Sequence, residues 1–280
     1  MRPALAVAAC LALVPRPSSA FEPEPIPIGS PAIDFDLPGV DGKRYSLKDF
    51  AGAKVLALVF TTNHCPTAQN YEERLKQLVT DFGGQGLALV AINPNSPLGL
   101  RLDERGYTDL GDSFEDMKIR ARDHKFNFPY LDDGATEATS KKYGPVSTPH
   151  CFVFDAERKL RNAGRIDNNE QPGKAKVHDL RLAIEALLAG REVPVVQTKS
   201  FGCSVKWADK QESVDEFMKQ MAALPVATAP ADVDAVKALR KNAESGKFRL
   251  VNVWSIRCGP CMTEFPDLVA IDRMYRHRAF

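Results

Sequence analysis

The chain has 280 residues, 37 Lys and Arg against 36 Asp and Glu, a formal net charge of +1, and 44% hydrophobic residues. That near-balance gives no electrostatic reason to expect nucleic acid or an anionic membrane surface as a partner. The composition is that of a folded protein with one large domain or two ordinary ones. Six cysteines in this length are too few for a disulfide scaffold.

Residues 1–20 read as an export signal. Arg2 precedes the apolar run Ala4–Val14, which is too short to span a bilayer, and Ser18-Ser19-Ala20 places small residues where a signal peptidase cuts. The expected location is therefore periplasmic or extracellular. Val7-Ala8-Ala9-Cys10 weakly resembles a lipid-attachment site, but it would leave a very short apolar region, so a membrane anchor is disfavoured. Removal of the signal leaves five cysteines: Cys65, Cys151, Cys203, Cys258 and Cys261. A Pro-rich leader follows over residues 21–31.

Gly39-Val40-Asp41-Gly42 between Asp34–Leu37 and Arg44–Leu47 signals a hairpin. Lys54–Phe60 is a continuous apolar run, expected of a strand buried on both faces. Leu75, Leu78, Val79 and Phe82 stripe a helix from Thr67 to Phe82, which Gly83-Gly84 stops. Leu87–Asn93 is a second buried strand. Then come a helix over Ser113–His124, a short strand at Phe128–Leu131, a helix over Ala135–Tyr143, the strand Cys151–Phe154 turning into Leu160–Ile166, and an amphipathic helix from Lys174 to Ala189. This order implies an α/β fold with a central mixed β-sheet flanked by helices. After it, Val214–Met221 and Asp232–Ser245 read as helices around a Pro/Ala-rich linker. Arg249–Trp254 reads as another strand, entering Cys258-Gly259-Pro260-Cys261 and a helix to about Arg276. The resulting division is residues 1–20 signal, 21–31 leader, 32–210 first domain, 211–230 helix and linker, and 231–280 the start of a second α/β domain whose remaining strands do not appear before Phe280.

Cys65 and Cys258 both stand where a buried strand delivers the chain to a helix N-terminus. Free N–H groups and the helix dipole there favour a thiolate, and hence a nucleophile. Pro66 suits the first helical turn, where its missing N–H costs nothing. Cys258 and Cys261 can close a disulfide across one helical turn, with Cys258 attacking a substrate disulfide and Cys261 resolving the mixed disulfide. No second Cys/His pair accompanies them, so zinc is disfavoured. No cofactor or metal is called for.

The segment Val253–Pro266, around Cys258-Gly259-Pro260-Cys261, resembles the active site of thioredoxins, especially exported thioredoxin-like reductases. The larger part, from about Ile26 to Lys210, resembles peroxiredoxin-like redoxins of the thioredoxin superfamily. Asn63-His64-Cys65-Pro66, Tyr71–Leu75, Val90–Asn95, Ser147–His150, Gly164–Asp167 and Gly202–Trp207 carry that likeness. The resemblance implies that Cys65 is the attacking thiol, that Thr62 orients a peroxide, that an Arg, for which Arg165 is the candidate, stabilises the thiolate, and that Thr148-Pro149 is cis. Two departures qualify it. Leu58 replaces the Pro expected seven residues before the thiol, and Ala68 and Gln69 stand where a second cysteine of CxxC or CxxxC would be. A local dithiol cycle and copper delivery are thereby disfavoured.

Cys65 therefore needs a thiol from elsewhere. Cys203, in a Gly-flanked polar segment beyond the last helix, is a candidate mobile resolving thiol or else a spare cysteine. Cys151, alternating with Val153, reads as core first and partner second. His64 either raises the local positive potential or binds peroxide-bound water, or else is a solvated loop residue. Trp254 reads as strand packing. Three functions are compatible with these residues: an exported oxidoreductase using Cys65 on peroxide or oxidised thiols with a thioredoxin-like CxxC dithiol as donor; a disulfide reductase acting through Cys258 and Cys261; and a non-catalytic binding module.

Overall fold

The computed structural model describes residues 21–105, 108, 110–225, 229–241 and 248–276. The expected export signal lies outside these residues, as does Cys10.

The hairpin is present as β1 (Asp36–Pro38) and β2 (Arg44–Ser46), paired antiparallel. The central sheet holds β3 (Val55–Phe60), β4 (Leu87–Asn93), β5 (Tyr130–Asp132), β6 (His150–Phe154) and β7 (Leu160–Gly164), in the order β5-β4-β3-β6-β7. Its first three strands run parallel, and β6 is antiparallel to both β3 and β7. The apolar run of β3 needs two cores because successive side chains point to opposite faces. Val55, Ala57 and Val59 join one buried cluster, and Leu56, Leu58 and Phe60 the other.

The first cluster is covered by α1 (Pro66–Phe82) through Tyr71, Leu75, Leu78 and Phe82. Each such large apolar side chain contributes roughly 1.5–3 kcal/mol on burial. The helices α2 (Phe114–Asp123) and α4 (Asp179–Leu188) add Met117, Leu180, Ala183 and Ile184 to the same side. On the other face, α3 (Ala138–Tyr143) contributes Tyr143 to the second cluster. Helix α4 starts five residues later than the Lys174 boundary expected from its periodicity. The Asn168 side chain accepts the backbone N–H groups of Lys176 and Val177 and holds them in a loop.

Phe60 pairs with Ile92 on one side and His150 on the other. The end of β3, the end of β4 and the entry to β6 therefore meet at one edge, the carboxyl end of the parallel strands, where α/β sheets place their sites. Beyond α4 the chain runs back along β7 through a Gln197–Ala163 bridge. It then crosses this edge to a Cys203–Thr148 bridge.

The C-terminal part contains α5 (Gln211–Ala222), α6 (Val233–Ala238) and α7 (Gly259–Tyr275). The strand expected at Arg249–Trp254 does not form: residues 248–255 carry no regular structure, and Phe248, Val253 and Ile256 are exposed. An extended apolar segment becomes a strand only against a neighbour that takes its backbone hydrogen bonds. Among the described residues none does. No helix among the described residues is long and apolar enough to cross a membrane.

Candidate active site at Cys65

Cys65 is the N-cap of α1, fully buried, with Pro66 in the first turn. Its Sγ lies 3.2 Å from the Thr148 carbonyl oxygen, to which a thiol donates, and 3.5 Å from the Ala68 N–H, which donates to it. The Thr148-Pro149 peptide is cis. Thr148 and Cys203 exchange backbone hydrogen bonds, which brings the Cys203 thiol to Cys65. The hydrogen bond from Cys203 is the largest influence on Cys65. Together with the Ala68 N–H and the charge of His64 it overcomes the opposing effect of burial and lowers the Cys65 pKa to about 6. The reciprocal effect of that bond, with burial, raises the Cys203 thiol well above its ordinary range. The opposite shifts mean that, of the two sulfurs, Cys65 is the one more readily ionised.

The segment carrying Cys203 is held at several points. Gly202 has φ +140°, and a Cβ there would lie 2.0 Å from the Thr148 carbonyl oxygen, so only glycine permits this approach. Further on, the Lys206 N–H donates to Asn95 Oδ1, and Lys206 Nζ is 2.5 Å from Glu104 Oε1. Trp207 is buried with the Phe21 ring against it.

His64 is buried, not solvated. Its Nδ1 is 2.6 Å from Asp112 Oδ2, while its backbone N–H and that of Asn63 donate to Asp112 Oδ1. Asn95 Nδ2 also donates to Asp112 Oδ2. Burial works against the Asp112 charge, but the hydrogen bond and charge of His64, with Asn95, outweigh it and lower the carboxyl pKa. His64 Nε2 and Thr62 Oγ1 are both buried and have no hydrogen-bond partner among the described residues. Asp112 lies outside the segments that carry the resemblance, and Asn95 ends one of them with no role assigned to it. The available signals were the polar Asn93-Pro94-Asn95 ending a buried strand and the Gly111-Asp112-Ser113 turn before a helix.

Residues 28–163 match the AhpC/TSA family. A hypothetical protein from Sinorhizobium meliloti 1021 is 34% identical, with 66% of this chain and 97% of that one covered and a TM-score of 0.58. The chain belongs to the AhpC/TSA family. An uncharacterized conserved protein from Geobacillus kaustophilus is likewise 34% identical to this AhpC/TSA chain, over 65% of it and 92% of that protein, with a TM-score of 0.57. No curated protein matches the sequence. Thioredoxin-like redoxins are oxidoreductases, and the five-stranded mixed sheet with its flanking helices is their fold.

In this AhpC/TSA chain Arg165 is not placed as the resemblance implied. Its Nε donates to Asp179 Oδ2 at 2.8 Å, so the Asp179 carboxylate holds the guanidinium, and the charge that acts on Cys65 is that of His64. Cys151 is fully buried in the first core cluster, with its thiol pushed up by burial, consistent with a core role. Cys258 and Cys261 form a disulfide at the start of α7, and Cys258 Sγ accepts the Cys261 N–H at 3.3 Å. Trp254 packs edge-on against Phe265, not in a strand.

Proposed function

We propose that the protein is an exported thiol-dependent oxidoreductase in which Cys65 attacks a peroxide or an oxidised thiol and Cys203 resolves the product. The observation that carries this reading is the Thr148–Cys203 bridge, which seats Cys203 on the same Thr148 carbonyl that the Cys65 sulfur contacts at the N-terminus of α1, with the Cys65 pKa lowered to about 6. With a peroxide, Cys65 becomes a sulfenic acid, and attack by Cys203 expels water and leaves a disulfide. A thioredoxin-like CxxC dithiol, for which Cys258 and Cys261 are the candidates within the chain, restores the pair by exchange. Thr62, whose buried hydroxyl has no partner among the described residues, is suited to orient the peroxide; Pro66 and the Thr148-Pro149 turn shape the approach. Export rests on the signal read in residues 1–20. Peroxide consumption with a dithiol donor tests the reading: Cys65→Ser abolishes turnover, and unchanged turnover in that variant overturns it.

A second reading is favoured by the Cys258–Cys261 disulfide at the start of α7. In it, this pair reduces disulfides of exported proteins and the Cys65 region binds the client. Disulfide reduction that is lost in Cys258→Ser and kept in Cys65→Ser supports it over the first.

A further inference from the structure

We propose that His64 is the acid that protonates the leaving group at Cys65, and that Asp112 is its positioning residue. This rests on the reading of Cys65 as the reacting thiol. The Asp112 carboxylate receives four donors from three residues: the N–H groups of Asn63 and His64, the His64 ring and the Asn95 amide. An ionised carboxylate only accepts, so at 2.6 Å the proton of that contact sits on His64 Nδ1. The ring is thereby fixed in one orientation, and in the charged form that acts on Cys65 both ring nitrogens carry a proton, the second on Nε2. That Nε2 is buried and has no partner among the described residues, it belongs to the residue next to the thiol, and the His64 charge acts on Cys65. An orphan nitrogen in a residue 1% exposed is costly in a finished core. It is accounted for if a reactant supplies the partner.

The chemistry closes. The Cys65 thiolate forms an S–O bond to the terminal oxygen of a hydroperoxide as the O–O bond breaks. The electron pair leaves with the alkoxide, which takes the proton from His64 Nε2 and departs as an alcohol. Nε2 is now a base. The Cys203 thiol gives its proton to it, forms the S–S bond, and displaces hydroxide, which takes the same proton and leaves as water.

A comparison of leaving groups in the full chain tests the assignment. Cys65 oxidation is timed with an alkyl hydroperoxide, whose alkoxide needs a proton, and with a peroxycarboxylic acid, whose carboxylate does not. His64→Gln and Asp112→Asn are expected to slow the first about 100-fold and the second less than about 3-fold, the size of general-acid catalysis. A change in thiolate fraction or a loosened fold slows both alike, and an equal loss overturns the proposal. Nitrogen-15 spectra of the wild-type imidazole supply a readout that needs no variant: Nδ1 protonated is expected, and Nδ1 unprotonated overturns it. If neither peroxide oxidises wild-type Cys65, the peroxide reading falls. The comparison then passes to an alkyl against an aromatic disulfide, where the same selective loss upholds His64 and an equal loss or no reaction overturns it.

Discussion

Thr148 and Cys203 exchange backbone hydrogen bonds of 2.8 and 3.2 Å, and the same Thr148 carbonyl lies 3.2 Å from the Cys65 sulfur. One peptide group thus sets the position of both thiols. The cis-proline turn entering β6 serves as the base on which the crossing segment is seated, and Cys203 reaches Cys65 because that segment is docked.

Removing the Cys203 thiol is expected to raise the Cys65 pKa, since the hydrogen bond from Cys203 is its largest lowering influence. Cys203→Ala shifts it upward by at least about 1 unit, worth 1.36 kcal/mol in the balance of protonation states. Cys203→Ser, which keeps a donor, shifts it less. Site-resolved alkylation of Cys65 between pH 5 and 9 measures both, and an unshifted Cys203→Ala profile refutes the contact as its cause.

Gly202→Ala is expected to unseat the crossing segment. The added Cβ meets the Thr148 carbonyl oxygen at 2.0 Å in a left-handed backbone. A strain of about 1–3 kcal/mol should appear as a lower melting temperature. Disulfide formation between Cys65 and Cys203 should slow with it, as read by mass spectrometry after an oxidant pulse.

His150 gives a pH dependence with a definite sign. Burial lowers its pKa from 6.5 to about 4, and Nδ1 accepts the Val146 N–H, so the fold favours the neutral ring. The unfolded chain takes up the proton first as pH falls. Stability is therefore full above pH 6.5 and declines toward pH 4, by about 3 kcal/mol at the limit. His150→Leu flattens that acid limb in urea melts at pH 5 and pH 7. A limb unchanged by the substitution assigns it to other groups.

Arg165→Met should leave the Cys65 pKa at about 6, because Asp179 holds the guanidinium. The cost falls instead on stability, roughly 1–3 kcal/mol for stranding the buried Asp179 carboxylate. A raised Cys65 pKa in this variant would restore Arg165 to the site.

The sheet, its order of elements and the cysteine at the head of α1 were legible in the sequence, because each is written locally. A doubly buried strand is a continuous apolar run, as at Val55–Phe60, and a helix start is a polar or thiol cap followed by Pro, as at Cys65-Pro66. The start of α4 and the segment at Arg249–Trp254 depart from their sequence periodicity for one reason. Periodicity reports what a segment favours, while a side chain from elsewhere (Asn168) or the lack of a paired neighbour settles what it does. The site followed the same division. By itself the sequence determined that Cys65 is a helix-capping thiol without a local partner, and that Cys203 was a candidate to pair with it. Only the tertiary structure decided that Cys203 is seated on Thr148, that Arg165 is held by Asp179, and that Asp112, 48 residues away in sequence, holds His64. Capping and burial depend on near neighbours along the chain, whereas the charge and hydrogen-bond partners of a buried side chain come from whichever loops the sheet order brings to the same edge.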